Sequence, residues 1–191
     1  DIIFFAMGSI KAPKEITEYS NFNDFLNFIS YMSTWSSAFS IWKKDLDSLI
    51  KKELPLDHMF PHTSLLFALT NKARYIVDNR EYVINLPLKK KGGYNLIDNF
   101  VRIYLTMVHG LLQDGSITAI TYHKIEQGII RFCAYWYVTV KLNHNFTFTF
   151  DNKEQLILAR CGKLAMWQFL IYAYMLYFPK VILKKLIKGH Y

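Results

Sequence analysis

The sequence predicts an all-α protein, a helical bundle, on three observations. Apolar residues recur at close to the helical period along most of the chain. The one stretch that alternates with period two, residues 145–150, has no evident second strand to pair with. A fifteen-residue run, 164–178, carries no charge and stops before Pro179, as expected of a helix buried on nearly every side.

Taken in order, residues 1–19 hold a short apolar piece, Ile2-Ile3-Phe4-Phe5, and a break at Lys11-Ala12-Pro13-Lys14. Asn21 or Asn23 is placed to cap the first helix. Its apolar positions are Phe22, Phe25, Ile29, Met32, Phe39, Trp42, Leu46 and Leu49, with a bend at the serine-rich residues 33–37. Pro55 and Pro61 bracket a connector. Thr63 or Ser64 starts the second helix, with Leu65, Leu66, Leu69, Ala73, Ile76, Val77 and Val83 on its stripe. Pro87, Lys89-Lys90-Lys91 and Gly92-Gly93 end it in an exposed corner.

A third stripe runs through Ile97, Val101, Tyr104, Leu105, Val108, Leu111 and Leu112 and closes at Asp114-Gly115, where glycine suits the left-handed cap. Thr121 caps a fourth helix carrying Ile125, Ile129, Phe132, Cys133, Trp136 and Val140, which stops at Asn143-His144-Asn145. Residues 145–150 are expected to be an ordered loop with three rings tucked inward. Asp151 and Glu154 form a capping box for a last long helix ending at Phe178, and a basic tail follows over 181–191. By this reading residues 1–60 are an N-terminal linker with helices, and residues 61–191 are the functional domain.

The chemistry points to binding and not to catalysis. No nucleophile elbow, phosphate-cradling glycine loop or dinucleotide fingerprint is present. His58 and His62 stand at ligand spacing, but Pro61 lies between them and no third ligand follows, so neither a metal nor a cofactor is expected. His109 and His123 lie on or near helical stripes without a partner at fixed offset. Cys133 and Cys161 each sit in an apolar stretch and read as reduced, buried thiols of a cytoplasmic protein. The net charge of +8 favours anionic surroundings, but the lysines fall in short scattered runs. No polar, basic recognition helix can be placed in residues 1–60.

Residues 66–140 resemble the regulatory domain of TetR-family transcription regulators. The resemblance is carried by residues 72–83, similar to that family's helix with an Arg/Tyr-rich start; by the Pro/Lys corner over 87–93; by Leu111-Leu112-Gln113-Asp114-Gly115; and by Trp136 closing a further helix. It implies a ligand-sensing, dimer-forming domain whose DNA-binding head is absent from this chain, with Asp1-Ile2-Ile3 as the run that follows the head. A small, largely apolar molecule would enter the bundle and shift a dimer between DNA-competent and DNA-incompetent states through its differential affinity for the two. Bundles bind such ligands between helices, and the expected lining is Tyr104, Met107, His109, Trp136, Tyr137 and Trp167. The final helix would pair with its twin in a homodimer, through Met166, Phe169, Leu170, Tyr172, Ala173, Leu176 and Tyr177, with no membrane involved. The rival expectation is a helical subunit of a membrane-associated or organellar assembly, from the uncharged run and the flanking Lys180, Lys184, Lys185 and Lys188.

Overall fold

Four short strands in the first half of the chain overturn the all-α expectation. The computed structural model, which describes residues 1–8, 14–36, 38–82 and 91–188, is mixed α/β, with two separate sheets among its helices. A TetR-type helical bundle is therefore not what this sequence forms. The chain divides into two compact units, Asp1–Leu86 with Met107–Ile125, and Pro87–Thr106 with Glu126–Tyr191.

In the first unit, β1 (Ile2–Phe5), β2 (Ile16–Tyr19), β3 (Phe39–Ser40) and β4 (Tyr75–Asp78) form one sheet in the order β2-β4-β1-β3. β1 and β4 run parallel, with Ile2 opposite Tyr75 and Phe5 opposite Asp78. The two outer pairings are antiparallel. The apolar Ile2-Ile3-Phe4-Phe5 run is thus an inner strand. Ile76 and Val77, placed on a helical stripe by period, lie instead with Tyr75 in a β-branched and aromatic strand.

α1 (Phe22–Ile29) starts where expected, with the Asn21 side chain accepting from the Asp24 amide at 2.9 Å. It buries Phe22, Phe25, Leu26 and Ile29. Phe25 stacks on Tyr75 with ring centroids 5.0 Å apart and meets Phe4 edge-on at 6.4 Å. The buried Tyr75 hydroxyl is satisfied on both sides, accepting from the Lys72 amide and donating to the Leu69 carbonyl, each at 3.0 Å. The expected long first helix is instead three pieces: α1, a 3₁₀ turn over Ser30–Thr34, and α2 (Lys43–Lys51) beyond β3. α3 (Pro61–Phe67) begins on Pro61, whose missing N–H costs nothing at a helix start. His62 Nε2 lies 2.6 Å from the Thr34 carbonyl, which ties that side chain to the fold.

At the end of β4, Asp78 is buried and both its oxygens are occupied. Arg80 donates from Nε at 3.0 Å and Nη2 at 2.6 Å, and the Tyr82 hydroxyl donates at 2.8 Å. The Arg80 fork holds the Asp78 carboxyl down at about 2.

α4 (Leu105–Gln113) and α5 (Ala119–Leu142) pass from one unit into the other along their length. α4 continues directly from a π-helical stretch, Asp98–Tyr104. Gly115, at φ +78, closes α4 as expected. α5 is capped by Thr118, whose Oγ1 accepts from the Thr121 amide at 3.2 Å, and not by Thr121 itself.

In the second unit β5 (Lys91–Asn95) and β6 (Phe146–Thr149) form a parallel pair. The period-two stretch therefore is a strand, and its partner is Gly92-Gly93, read above as a corner. Pro87 to Lys90 lie outside the described residues, as does Val83. Gly92 is demanded twice over: its φ is +146, and a Cβ there would meet the Phe148 nitrogen and the Thr147 carbonyl carbon at 2.5 Å. Trp136 of α5 sits on this pair, with centroids 5.0 Å from Phe146 and 5.2 Å from Phe148.

α6 (Lys153–Leu170) has Asn152 as its N-cap in a left-handed conformation with no side-chain cap bond, so the expected Asp151–Glu154 capping box does not form. The helix does not end at Phe178. It passes through a π-helical turn, Ile171–Tyr177, into α7 (Phe178–Lys188). The widened turn lies directly ahead of Pro179, where a regular α-turn would drive the ring into the carbonyl four residues back.

The Asp78 anchor gives a signed pH dependence. A carboxyl held below its ordinary value stabilises the fold above pH 4 and loses that contribution as pH falls through about 2. Asp78→Asn is expected to cost about 1–2 kcal/mol at pH 7, discounted for the half-exposed Arg80. In urea unfolding the gap between variant and wild type should close near pH 2; an equal gap at pH 7 and pH 2 contradicts the assignment.

Candidate functional site

The C-terminal helix is seated on one side only. Met166, Phe169 and Ala173 are buried within the second unit, and Phe169 meets Tyr137 of α5 at 5.5 Å. Tyr172 accepts from Arg131 Nε at 3.0 Å. On the other side Leu164, Trp167, Ile171, Tyr174, Met175 and Phe178 face outward, with Leu164 73 % exposed, Trp167 64 % and Met175 71 %. Single exposed apolar side chains are ordinary, whereas a contiguous row of them marks an interaction surface.

Gly162 shapes the near end of this face. Its φ of +82 and ψ of −178 interrupt α6 between 161 and 163, in a region that side chains avoid. No atom lies within 4 Å of a Cβ built there, so backbone conformation and not crowding demands the glycine. Beside the kink an open groove of about 290 Å³ is lined by Glu154, Leu158, Lys163, Met166, Trp167 and Leu170.

Charge on this part of the chain is of one sign. Between 155 and 191 there is no Asp or Glu, while Arg160, Lys163, Lys180, Lys184, Lys185 and Lys188 are all basic. Lys163 and Lys180 are exposed at the two ends of the uncharged run. Arg160 is turned inward, where Nη2 donates to the Leu105 carbonyl at 2.7 Å.

The residues expected to line a ligand pocket are divided between the two units. Met107 and His109 belong to the first unit, and Tyr104, Trp136, Tyr137 and Trp167 to the second. Tyr104 is fully buried, Tyr137 is packed among Phe150, Phe169 and Tyr174, and Trp136 covers the β5–β6 pair. Trp167 lines the groove beside the kink and is mostly exposed. Of the expected interface residues, Met166, Phe169 and Ala173 serve the subunit's own core, Leu170, Tyr172 and Tyr177 are half-buried, and Leu176 is exposed. The outward residues missed by sequence, Leu164, Ile171, Tyr174, Met175 and Phe178, share the same uncharged run. An apolar helix without a polar face gives no phase from which to choose between its sides.

Both cysteines are free thiols. Burial pushes Cys133 up, and burial together with the neighbouring Glu126 pushes Cys161 to about 12, so neither is poised as a nucleophile. Among the described residues no group of three or more His, Cys, Asp or Glu side chains converges as a metal site would require. His109 and His123 flank the Tyr122 ring at 5.6 Å each.

No protein-family model, curated protein or solved structure matches this chain.

The two sides of the helix respond oppositely to substitution. Phe169→Ala is expected to cost about 3–5 kcal/mol, the penalty of an emptied core position. Trp167→Ser should stay within about 0.5 kcal/mol of wild type, as an exposed position does. Denaturant unfolding of both variants checks the orientation; comparable losses would mean that Trp167 is structural.

Proposed function

We propose that this chain is a peripheral membrane-docking module, which lays the outward face of its C-terminal helix into the surface of an anionic bilayer. The single observation that carries the reading is a row of large exposed apolar side chains on a segment with basic residues and no acidic ones from 155 onward. Interfacial helices have this make-up, with Trp, Phe and Leu toward the acyl boundary and Lys and Arg toward headgroup phosphates. Trp167 and Tyr174 are residue types that settle at the headgroup level.

One-sided burial separates docking on the membrane from crossing it. The segment Lys153–Leu183 is long and apolar enough to cross a bilayer by length and composition. Its uncharged part, 164–178, is about 22 Å long as a helix, against about 30 Å of hydrocarbon. Met166, Phe169 and Ala173 are already committed to the protein core. The charge pattern also favours an anionic surface over a second copy of the chain. Over 163–183 a twin helix would offer cations to cations in either direction.

Magnitudes are adequate for reversible binding. Completing the burial of each half-exposed side chain adds about 1 kcal/mol, and each lysine near an anionic surface adds about 1 kcal/mol. Together these reach the roughly 8 kcal/mol of a micromolar association. A TetR-type sensor is not proposed, because the bundle it requires is not the fold.

Flotation with vesicles tests the proposal. The wild-type chain should float with phosphatidylcholine vesicles containing phosphatidylserine, bind weakly to phosphatidylcholine alone, and release as salt rises. The triple variant Trp167→Ser, Ile171→Ser, Met175→Ser should remain folded by circular dichroism and stay unbound. If wild type ignores anionic vesicles and sediments as a dimer that the triple variant dissociates, the face belongs to a second copy and the proposal fails.

A further inference from the structure

At the edge of the docking face two tyrosines and two lysines converge. The Tyr137 and Tyr174 hydroxyls lie 3.3 Å apart. The Lys141 ammonium sits 4.7 Å from the centroid of the Tyr137 ring, and the Lys153 ammonium 5.6 Å from the same centroid. Tyr137 is 6 % exposed, whereas Tyr174 is 51 % exposed and belongs to the outward face. Lys141 is exposed, and no ion pair joins it to a carboxylate among the described residues. Lys153 is partly offset by Glu154, whose Oε1 is 3.4 Å from its Nζ.

We propose that Lys141, Lys153, Tyr137 and Tyr174 form a phosphate site for the headgroup of an anionic phospholipid, favouring a phosphomonoester. The inference rests on the docking reading above and names the lipid chemistry it selects. Two ammonium groups against one carboxylate leave a net positive charge, which an anion completes. The paired hydroxyls carry two protons and spend one between them, so one O–H remains to donate outward. Burial alone would raise the Tyr137 phenol, but the Lys141 ammonium beside it draws it below its ordinary value. The phenolic oxygen therefore already sits in a cationic field. A phosphomonoester carries nearly two charges at neutral pH and three acceptor oxygens, which suits two ammonium donors and a hydroxyl better than a singly charged diester does. Tyr174 joins the two functions, since its ring lies on the apolar face and its hydroxyl pairs with that of Tyr137.

Partitioning to vesicles of matched surface charge tests the site, with phosphatidic acid in one set and phosphatidylglycerol in the other. Wild type should prefer phosphatidic acid. Lys141→Gln and Tyr174→Phe should each lose about tenfold or more on phosphatidic acid, the loss of a hydrogen bond to a charged group, and lose the preference. Lys180→Gln removes the same charge at a flank and should cost about fivefold on both lipids. Circular dichroism confirms that the variants fold. Equal losses for Lys141→Gln and Lys180→Gln would reduce the cluster to diffuse charge and overturn the site while leaving the docking reading intact. Inorganic phosphate at millimolar concentration that raises Tm without vesicles and abolishes the lipid preference would make free phosphate the ligand and overturn the lipid assignment. Absence of binding to either vesicle would remove the docking reading itself, and the site with it.

Discussion

Everything proposed for this protein depends on the C-terminal helix being held from one side. Phe169 packed on Tyr137, with Met166 and Ala173 beside it, fixes the rotation of the helix about its axis. Once that rotation is set, Leu164, Trp167, Ile171, Tyr174, Met175 and Phe178 are left exposed among the described residues. Burying such surface is the main favourable term in folding and association alike. A row of such side chains exposed on the described residues is the surface that the proposed docking would take out of water.

Two backbone irregularities support that arrangement. The positive φ at Gly162 breaks α6 ahead of the outward row, and the π-helical turn carries the chain through Pro179 without ending the helix. Both are departures that a straight helix does not need, and irregularities of this kind cluster where a structure meets a ligand or partner. Gly162 sets where the outward segment begins, and the π-helical turn keeps the run between Lys163 and Lys180 one continuous helix with a cation at either end.

What the sequence made legible was local. The Asn21 cap, the helices before and after Gly115, the stop at Asn143 and the uncharged run each depend on residues within a few positions of one another. The sheets were hidden because their strands are five residues or fewer and pair with distant segments. Ile76 and Val77 fit a helical stripe and a strand equally well on period alone, and the β1 partner that decides it lies far back in the sequence, at Ile2–Phe5. Gly92-Gly93 carries the composition of a turn, and only the close approach of Thr147 and Phe148 reveals why glycine stands in a strand. The outward face was illegible for a related reason. A helix apolar all round has no polar stripe to mark its solvent side, and the choice is made by Tyr137 and Arg131 on α5. The net charge of +8 favours anionic surroundings without saying where; the sequence beyond residue 155, with basic residues and no Asp or Glu, is where that charge concentrates.

Spin labels placed singly along 164–178, with collision accessibility to oxygen and to a polar nickel reagent read on anionic vesicles, test the central claim most directly. The account predicts depth that rises and falls along the helix, deepest at 164, 167, 171, 175 and 178, with protein-packed signatures at 166, 169 and 173. Uniform depth through the whole run would mean a crossing helix, and uniform access to the polar reagent would mean no docking; either result contradicts a helix lying in the surface with one face committed to its own core.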